Sequence, residues 1–143
     1  MTRARTITGA ARAVARLAKQ VELALAPLDL SLPQYRVLAL LGEGSTASSV
    51  LARRLAVSPP SVTAVVDGLV GRGLVERRPD PEDRRRLTLL LTREGTKLLT
   101  AADAAAEARL DEIAGFSEET PTGLDWWNVA LDRKRETRLE GDK

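Results

Sequence analysis

The residues best equipped for chemistry fall in one short stretch. Between positions 72 and 86 stand Arg72, Arg77, Arg78, Arg84, Arg85 and Arg86, interleaved with Glu76, Asp80, Glu82 and Asp83. Guanidinium forks match phosphate oxygens and base edges, so the stretch suits recognition of a polyanion. Grouped carboxylates can also hold a divalent metal. These acids, however, lie in Pro79-Asp80-Pro81-Glu82-Asp83, which is turn chemistry, among arginines that compete for them. No metal, no cofactor and no enzymatic activity is expected from them. A second set of candidates is Thr46, Ser48 and Ser58, which stand at the starts of candidate helices. Hydroxyls and free backbone N–H groups at such places receive phosphate.

The chain has no Cys and no His. That removes Ser–His and Cys–His nucleophiles, zinc sites built on thiolate or imidazole, and thiol redox sensing. The formal net charge is only +2 over 143 residues. A basic footprint must therefore be local. No run approaches the ~20 apolar residues a membrane helix needs. Met1-Thr2-Arg3-Ala4-Arg5 is not followed by the apolar stretch of a signal peptide, so a cytoplasmic location is expected.

The elements that must position these residues are mostly helical. The chain has 23 Leu and 21 Ala, and aromatics are 3%, the composition of a helical protein with a thin aliphatic core. Ile7, Ala11, Val14, Ala18, Val21 and Leu25 recur at helical spacing over 6–28, with Ala10, Leu17, Ala24 and Leu28 beside them. So wide an apolar face fits either a core helix or one shared with a second subunit. Pro27 ends it. Ser31 and Pro33 open a second helix, and Gly42-Glu43-Gly44 closes it. Thr46 is the expected N-cap of a short helix over 47–55.

Ala56-Val57 is a brief turn. Ser58 caps, and Pro59 begins, a helix to about Gly71 with Val62, Val65, Val66 and Leu69 inward. The period then changes to that of strands, over 74–78 and 86–91, with Leu87, Leu89 and Leu91 on one face. Thr92 caps a long helix to about Ala114. The start at Ser117–Thr120 is interrupted by Pro121 and Gly123, and Asp125 is the expected cap of a last helix, Trp126 to Leu139. Two helices joined by a tight turn and followed by a hairpin describe a winged helix-turn-helix, mainly α with a small β-hairpin wing.

The run Leu51-Ala52-Arg53-Arg54-Leu55-Ala56-Val57-Ser58-Pro59-Pro60-Ser61-Val62-Thr63 resembles the helix-turn-helix of the MarR family. So does Val66-Asp67-Gly68-Leu69-Val70-Gly71-Arg72-Gly73-Leu74-Val75-Glu76-Arg77. Asp83-Arg84-Arg85 is similar to its Asp-x-Arg wing motif, and Leu91-Thr92-Arg93-Glu94-Gly95 follows in family order. The resemblance implies a homodimer that binds pseudo-palindromic double-stranded DNA, as a repressor released by a small anionic or phenolic ligand. It divides the chain into an N-terminal dimerisation helix (1–30), a DNA-binding winged domain (31–92) and C-terminal dimerisation helices (93–143).

Several roles follow from the resemblance. Ile7, Val14, Val21, Trp126 and Trp127 are placed at the dimer interface. Adjacent tryptophans are ~100° apart on a helix, so one fills the core and the other the interface, or both are core. Arg16, Tyr35 and Arg36 could line the ligand pocket, although Tyr35 reads more readily as a structural tyrosine with one local partner. The Asp83 carboxylate is expected to fix the Arg85 guanidinium for a narrow minor groove. The absence of Cys and His argues against the family's peroxide-sensing and zinc-sensing branches.

The outer face of the helix over 59–71 carries Pro60, Ser61, Thr63 and Ala64, small enough for close approach to base edges. It holds no Arg, Lys, Asn or Gln before Arg72. Specificity is therefore expected to lean on methyl contacts, on Arg84, Arg85 and Arg86, and on DNA shape. Asp67 shares this face and needs a cation, for which Arg85 or Arg86 is expected. The alternative reading is a winged-helix module whose basic wing docks an acidic protein.

Overall fold

The structure is a computed structural model that describes residues 2–115 and 123–141. In chain order it comprises α1 (Thr2–Leu25), a 3-10 turn (Ala26–Leu28), α2 (Leu32–Gly42), β1 (Thr46–Ala47) and α3 (Ser48–Leu55). There follow α4 (Pro59–Gly71), β2 (Val75–Pro79), β3 (Leu87–Leu91), α5 (Arg93–Ala114) and α6 (Leu124–Gly141). The chain is mostly helical with one small antiparallel sheet, and it forms two compact units. One holds α1, the end of α5 and α6; the other runs from Ala26 to Asp103. Among the described residues no helix is long and apolar enough to cross a membrane.

In the helical unit, Ile113, Trp126, Ala130 and Leu131 form a buried cluster, with Leu17, Ala114 and Trp127 packed against it. The two tryptophans meet edge to face, ring centroids 5.0 Å apart. They therefore reach one cluster despite their ~100° separation, because large side chains can lean toward each other across that angle. Arg16 on α1 donates to Asn128 Oδ1 (3.1 Å) and Asp132 Oδ1 (2.8 Å) on α6. Asn128 Nδ2 donates back to the Gly9 carbonyl (2.8 Å). α6 begins at Leu124, so Asp125 lies inside the first turn rather than capping it. The expectations for Ser117–Thr120 and Pro121, and the side chain of Ile7, lie outside the described residues.

The second unit follows its punctuation. Ser31 Oγ accepts from Gln34 N, and Gln34 Oε1 accepts from Ser31 N, a capping box that fixes the start of α2. Ala56 takes the left-handed conformation (φ 56°) at the end of α3. This is the tight turn between α3 and α4, made without glycine. Gly73 (φ 73°) turns the chain from α4 into β2. β2 and β3 pair antiparallel from Val75↔Leu91 to Pro79↔Leu87.

Two expectations change here. Thr46 is not a helix cap: it belongs to β1, paired with Leu89 on the other edge of β3, and Ala47 stands at the N-cap of α3 with no side-chain bond. The sheet thus has three strands in the order β1-β3-β2. Leu87 shares a face with Leu89 and Leu91 but is 51% exposed, because the hairpin projects beyond the core that buries Leu89.

The hairpin's return is locked to α5. Thr92 N donates to the Leu74 carbonyl (3.1 Å) and Thr92 Oγ1 to the Gly73 carbonyl (2.6 Å). The same hydroxyl accepts from Gly95 N (3.0 Å). A Cβ at Gly95 would lie 2.0 Å from the Leu74 oxygen, so this approach requires glycine.

Candidate nucleic-acid interface

α4 buries Val62, Val66 and Leu69 and leaves Pro60, Ser61, Thr63, Ala64 and Asp67 exposed on the other side. Its start is well fixed. Ser58 Oγ accepts from Ser61 N (3.3 Å), and the two hydroxyls lie 2.8 Å apart. Thr63 Oγ1 donates to the Pro59 carbonyl (3.0 Å). That bond uses the hydroxyl's single proton, so Thr63 meets a partner as an acceptor. Pro59 and Pro60 contribute no backbone donor. Ser48 is the first residue of α3 and half-buried.

The turn between β2 and β3 is held by its own acids. Asp80 N donates to the Arg86 carbonyl (2.9 Å), and Glu82 N to Asp80 Oδ1 (2.9 Å). Arg85 N donates to Asp83 Oδ1 (3.0 Å), and Arg86 N to the Asp83 carbonyl (3.0 Å). Asp83 therefore fixes the backbone of the tip rather than the Arg85 guanidinium: a side chain this short closes an Asx-type turn onto the N–H two residues on. Arg84, Arg85 and Arg86 are all exposed, and among the described residues none has an ion-pair partner.

The other cations of the stretch are engaged. Asp67 pairs with Arg77 on β2, not with Arg85 or Arg86. The chain reverses at Gly71–Gly73, which brings the root of the hairpin against α4 and carries its tip away. Arg78 grips Glu76 with Nε at 3.0 Å and a terminal nitrogen at 3.1 Å. That hydrogen-bonded carboxylate raises the guanidinium's pKa above its ordinary value. Arg72 donates to the Asp29 carbonyl (2.6 Å), and Arg54 pairs with Glu43 (2.7 Å). The cationic surface thus contracts to the three arginines at the tip, with Arg53 exposed on α3.

The residues read as a ligand pocket go to different partners. Tyr35 Oη donates to Asp103 Oδ1 (2.5 Å). Arg36 donates to the Leu55 carbonyl (2.9 Å) and borders an apolar cavity of about 190 Å³ among Val37, Leu55, Val57, Val62 and Val65. Tyr35 does not line that cavity. Arg16 is tied to α6 within the helical unit.

A capped helix with a small outer face, set beside an arginine-tipped hairpin and behind a tight helix-helix turn, defines a winged helix-turn-helix protein. Known proteins agree. The model of the MarR family matches residues 28–86. An uncharacterized HTH-type transcriptional regulator of Mycobacterium leprae (strain TN) is 36% identical over 110 residues, which cover 76% of this chain and 77% of that protein. The transcriptional repressor CouR bound to a 23-mer DNA duplex superposes with a TM-score of 0.65 at 34% identity, covering 73% of this chain and 77% of that one. CouR from Rhodococcus jostii RHA1 bound to p-coumaroyl-CoA superposes with a TM-score of 0.68 at 29% identity, covering 89% and 84%. The chain belongs to the MarR family of transcriptional regulators.

Proposed function

We propose that the chain is a homodimeric repressor that binds double-stranded DNA at pseudo-palindromic sites. The observation that carries the reading is the pairing, in one unit, of the small exposed α4 face with a hairpin tip whose three arginines have no ion-pair partner among the described residues. Ser61, Thr63 and Ala64 meet base edges in the major groove, with Pro60 against them. Arg84, Arg85 and Arg86 enter the adjoining minor groove. Ser58 and Ser48 receive phosphate at helix starts, and Thr46 reaches it from β1. Asp67 and Asp83 organise the surface from within. The CouR complex with DNA supports this reading by its similarity in fold and sequence.

Dimerisation belongs to the helical unit. Val14 is 51% exposed on α1 and gives a second copy apolar surface to cover. Val21 and Trp127 extend that surface, while Trp126 fills the core. Relief of repression by a small anionic or phenolic molecule is supported by the CouR complex with p-coumaroyl-CoA. Tyr35 and Arg36, both in the winged unit, are its candidate contacts, and each must exchange or share its present partner on binding.

The test is binding to the DNA upstream of the protein's own gene, measured by fluorescence anisotropy at several salt concentrations. Tighter binding than to random duplex, falling linearly in log–log with salt, is expected. Equal affinity for both duplexes at every salt refutes the reading. Salt-insensitive binding to a protein, with none to DNA, favours the acidic-partner alternative.

A further inference from the structure

Within the helical unit a cavity of about 300 Å³ opens between α1, α5 and α6. Arg16 and Lys19 reach it from α1, Arg109 from α5, and Lys134 and Arg138 from α6; among the described residues no carboxylate lines it. An adjoining space of about 330 Å³ shares Arg109, Lys134 and Arg138 and adds Glu112. A seam between three helices is ordinarily apolar. Here Leu23 and Leu131 are its apolar lining.

The cations are not fully balanced. Arg16 pairs with Asp132, Lys19 with Glu22, and Lys134 with Glu112 (3.0 Å). Arg109 Nε donates to a neutral acceptor, Gln20 Oε1 (2.9 Å). Among the described residues neither Arg109 nor Arg138 has a carboxylate partner. Lys134 is the strongest sign. Its ammonium is enclosed, and among the described residues its one close acceptor is the Glu112 carboxylate at 3.0 Å, which leaves its other donors unmet. An ammonium has three donors, and burying them unmet is costly. The Glu112 carboxyl registers the same field: the Lys134 ammonium first, then Arg109 and Arg138, hold it below its ordinary pKa.

We propose that this cavity binds a compact polyanion carrying two or more carboxylate or phosphate groups, held by Arg109, Lys134 and Arg138. Such a molecule supplies the acceptors Lys134 lacks and the countercharge the two arginines lack. Arginine forks take either group in bidentate fashion. A single carboxylate on an apolar body answers neither need. The site concerns binding to the helical unit alone and does not depend on the DNA-binding reading.

The full chain is titrated with citrate, pyrophosphate and acetate at constant ionic strength, followed by thermal shift and calorimetry. Citrate or pyrophosphate raises Tm saturably and acetate does not, since a ligand of the folded state stabilises in proportion to ln(1 + [L]/Kd). Comparison of the two polyanions decides between carboxylate and phosphate. Arg109→Gln and Arg138→Gln each weaken binding about tenfold or more, the usual loss for one charged hydrogen-bonding partner. Arg85→Ala at the hairpin tip leaves it unchanged. Without polyanion, Arg138→Gln melts no lower than the parent, because it removes a like charge from the cluster. Absence of a saturable shift overturns the proposal, as does an equal shift in the double variant that carries both Arg109→Gln and Arg138→Gln. A lower polyanion-free Tm for Arg138→Gln also overturns it, since Arg138 then serves the fold itself. So does a changed oligomeric state in the double variant when the parent binds no polyanion, because the cavity then belongs to a contact between copies. DNA affinity measured on the same samples is unchanged by either substitution, so failure of one reading is visible apart from the other.

Discussion

The carboxylate of Asp67, midway along α4, pairs with the guanidinium of Arg77, third residue of β2. This contact joins the outer face of the helix to the root of the hairpin, not to its tip. It satisfies the one acid on that face, and among the described residues Arg84, Arg85 and Arg86 have no ion-pair partner. Both partners are partly exposed, at 59% and 33%, so the pair contributes no more than ~1 kcal/mol to stability. Asp67→Ala is therefore expected to fold normally. Its effect lies in recognition, because removal of the acid leaves a free Arg77 and lowers repulsion of phosphate. Affinity for random duplex rises, while discrimination between operator and random DNA falls. Anisotropy titrations on both duplexes at two salt concentrations measure this, and unchanged affinities remove Asp67 from the interface.

Asp83 gives a sharper case. Its oxygen accepts from the Arg85 N–H, and an amide can do the same. Asp83→Asn is expected to keep the tip ordered and DNA affinity within about threefold, since one neutral hydrogen bond carries ~1 kcal/mol or less. Asp83→Ala loosens residues 81–86, seen as faster amide exchange there. If Asn behaves like Ala, the charge of Asp83 matters rather than its backbone bond.

Arg85→Ala removes one cation from the proposed minor-groove contact. Operator affinity falls, and the slope of log K against log salt shallows by about one unit. Arg78→Ala is the control: its guanidinium is already held by Glu76, and the slope is expected to hold. Equal effects of the two substitutions contradict the assignment of the tip.

Much of this arrangement is legible in the sequence, and the rest fails for identifiable reasons. Ser31, Ser58, Thr92 and Gly73 act on neighbours within a few positions, so the residues that carry the signal also make the bond. The MarR-like runs place α3, α4 and the hairpin in the right order for the same reason. Thr46 is different. β1 is two residues long, and its partner is Leu89 across the sheet, so no local periodicity marks it. Asp67 faces a choice among several arginines, and the reversal at Gly71–Gly73 selects Arg77. Asp83 is misread because the choice between binding a backbone N–H and a guanidinium is a matter of angles. The cavity between α1, α5 and α6 draws on residues more than a hundred positions apart, from Arg16 to Arg138.

The close approach at Gly95 separates two glycine substitutions. Gly95→Ala drives a methyl to within 2.0 Å of the Leu74 carbonyl oxygen, and backbone cannot step aside as a side chain can. A loss of at least ~2 kcal/mol is expected, at the upper end for overpacked sites. Gly71→Ala at the end of α4 meets nothing within 4 Å. It is expected to be neutral or to gain up to ~1 kcal/mol from helix propensity. Urea denaturation of the two variants decides this, and a loss at Gly71 as large as that at Gly95 contradicts it.

Glu112 carries a pH signature. Its folded-state pKa is depressed by Lys134 beside it. The unfolded chain therefore binds a proton more readily than the native one as pH falls. The stabilisation is present above the ordinary value of 4.5 and is lost as pH falls through the depressed folded value. Glu112→Gln removes it and leaves the enclosed Lys134 ammonium without its countercharge. The variant is expected to be less stable than the parent at pH 7, and the gap to narrow as pH falls below 4.5 toward pH 3. The carboxylate is 54% exposed, so the gap is set mainly by what Lys134 loses. Urea midpoints of both proteins at the two pH values test this. A gap that persists undiminished at pH 3 assigns the destabilisation to packing and not to the ion pair.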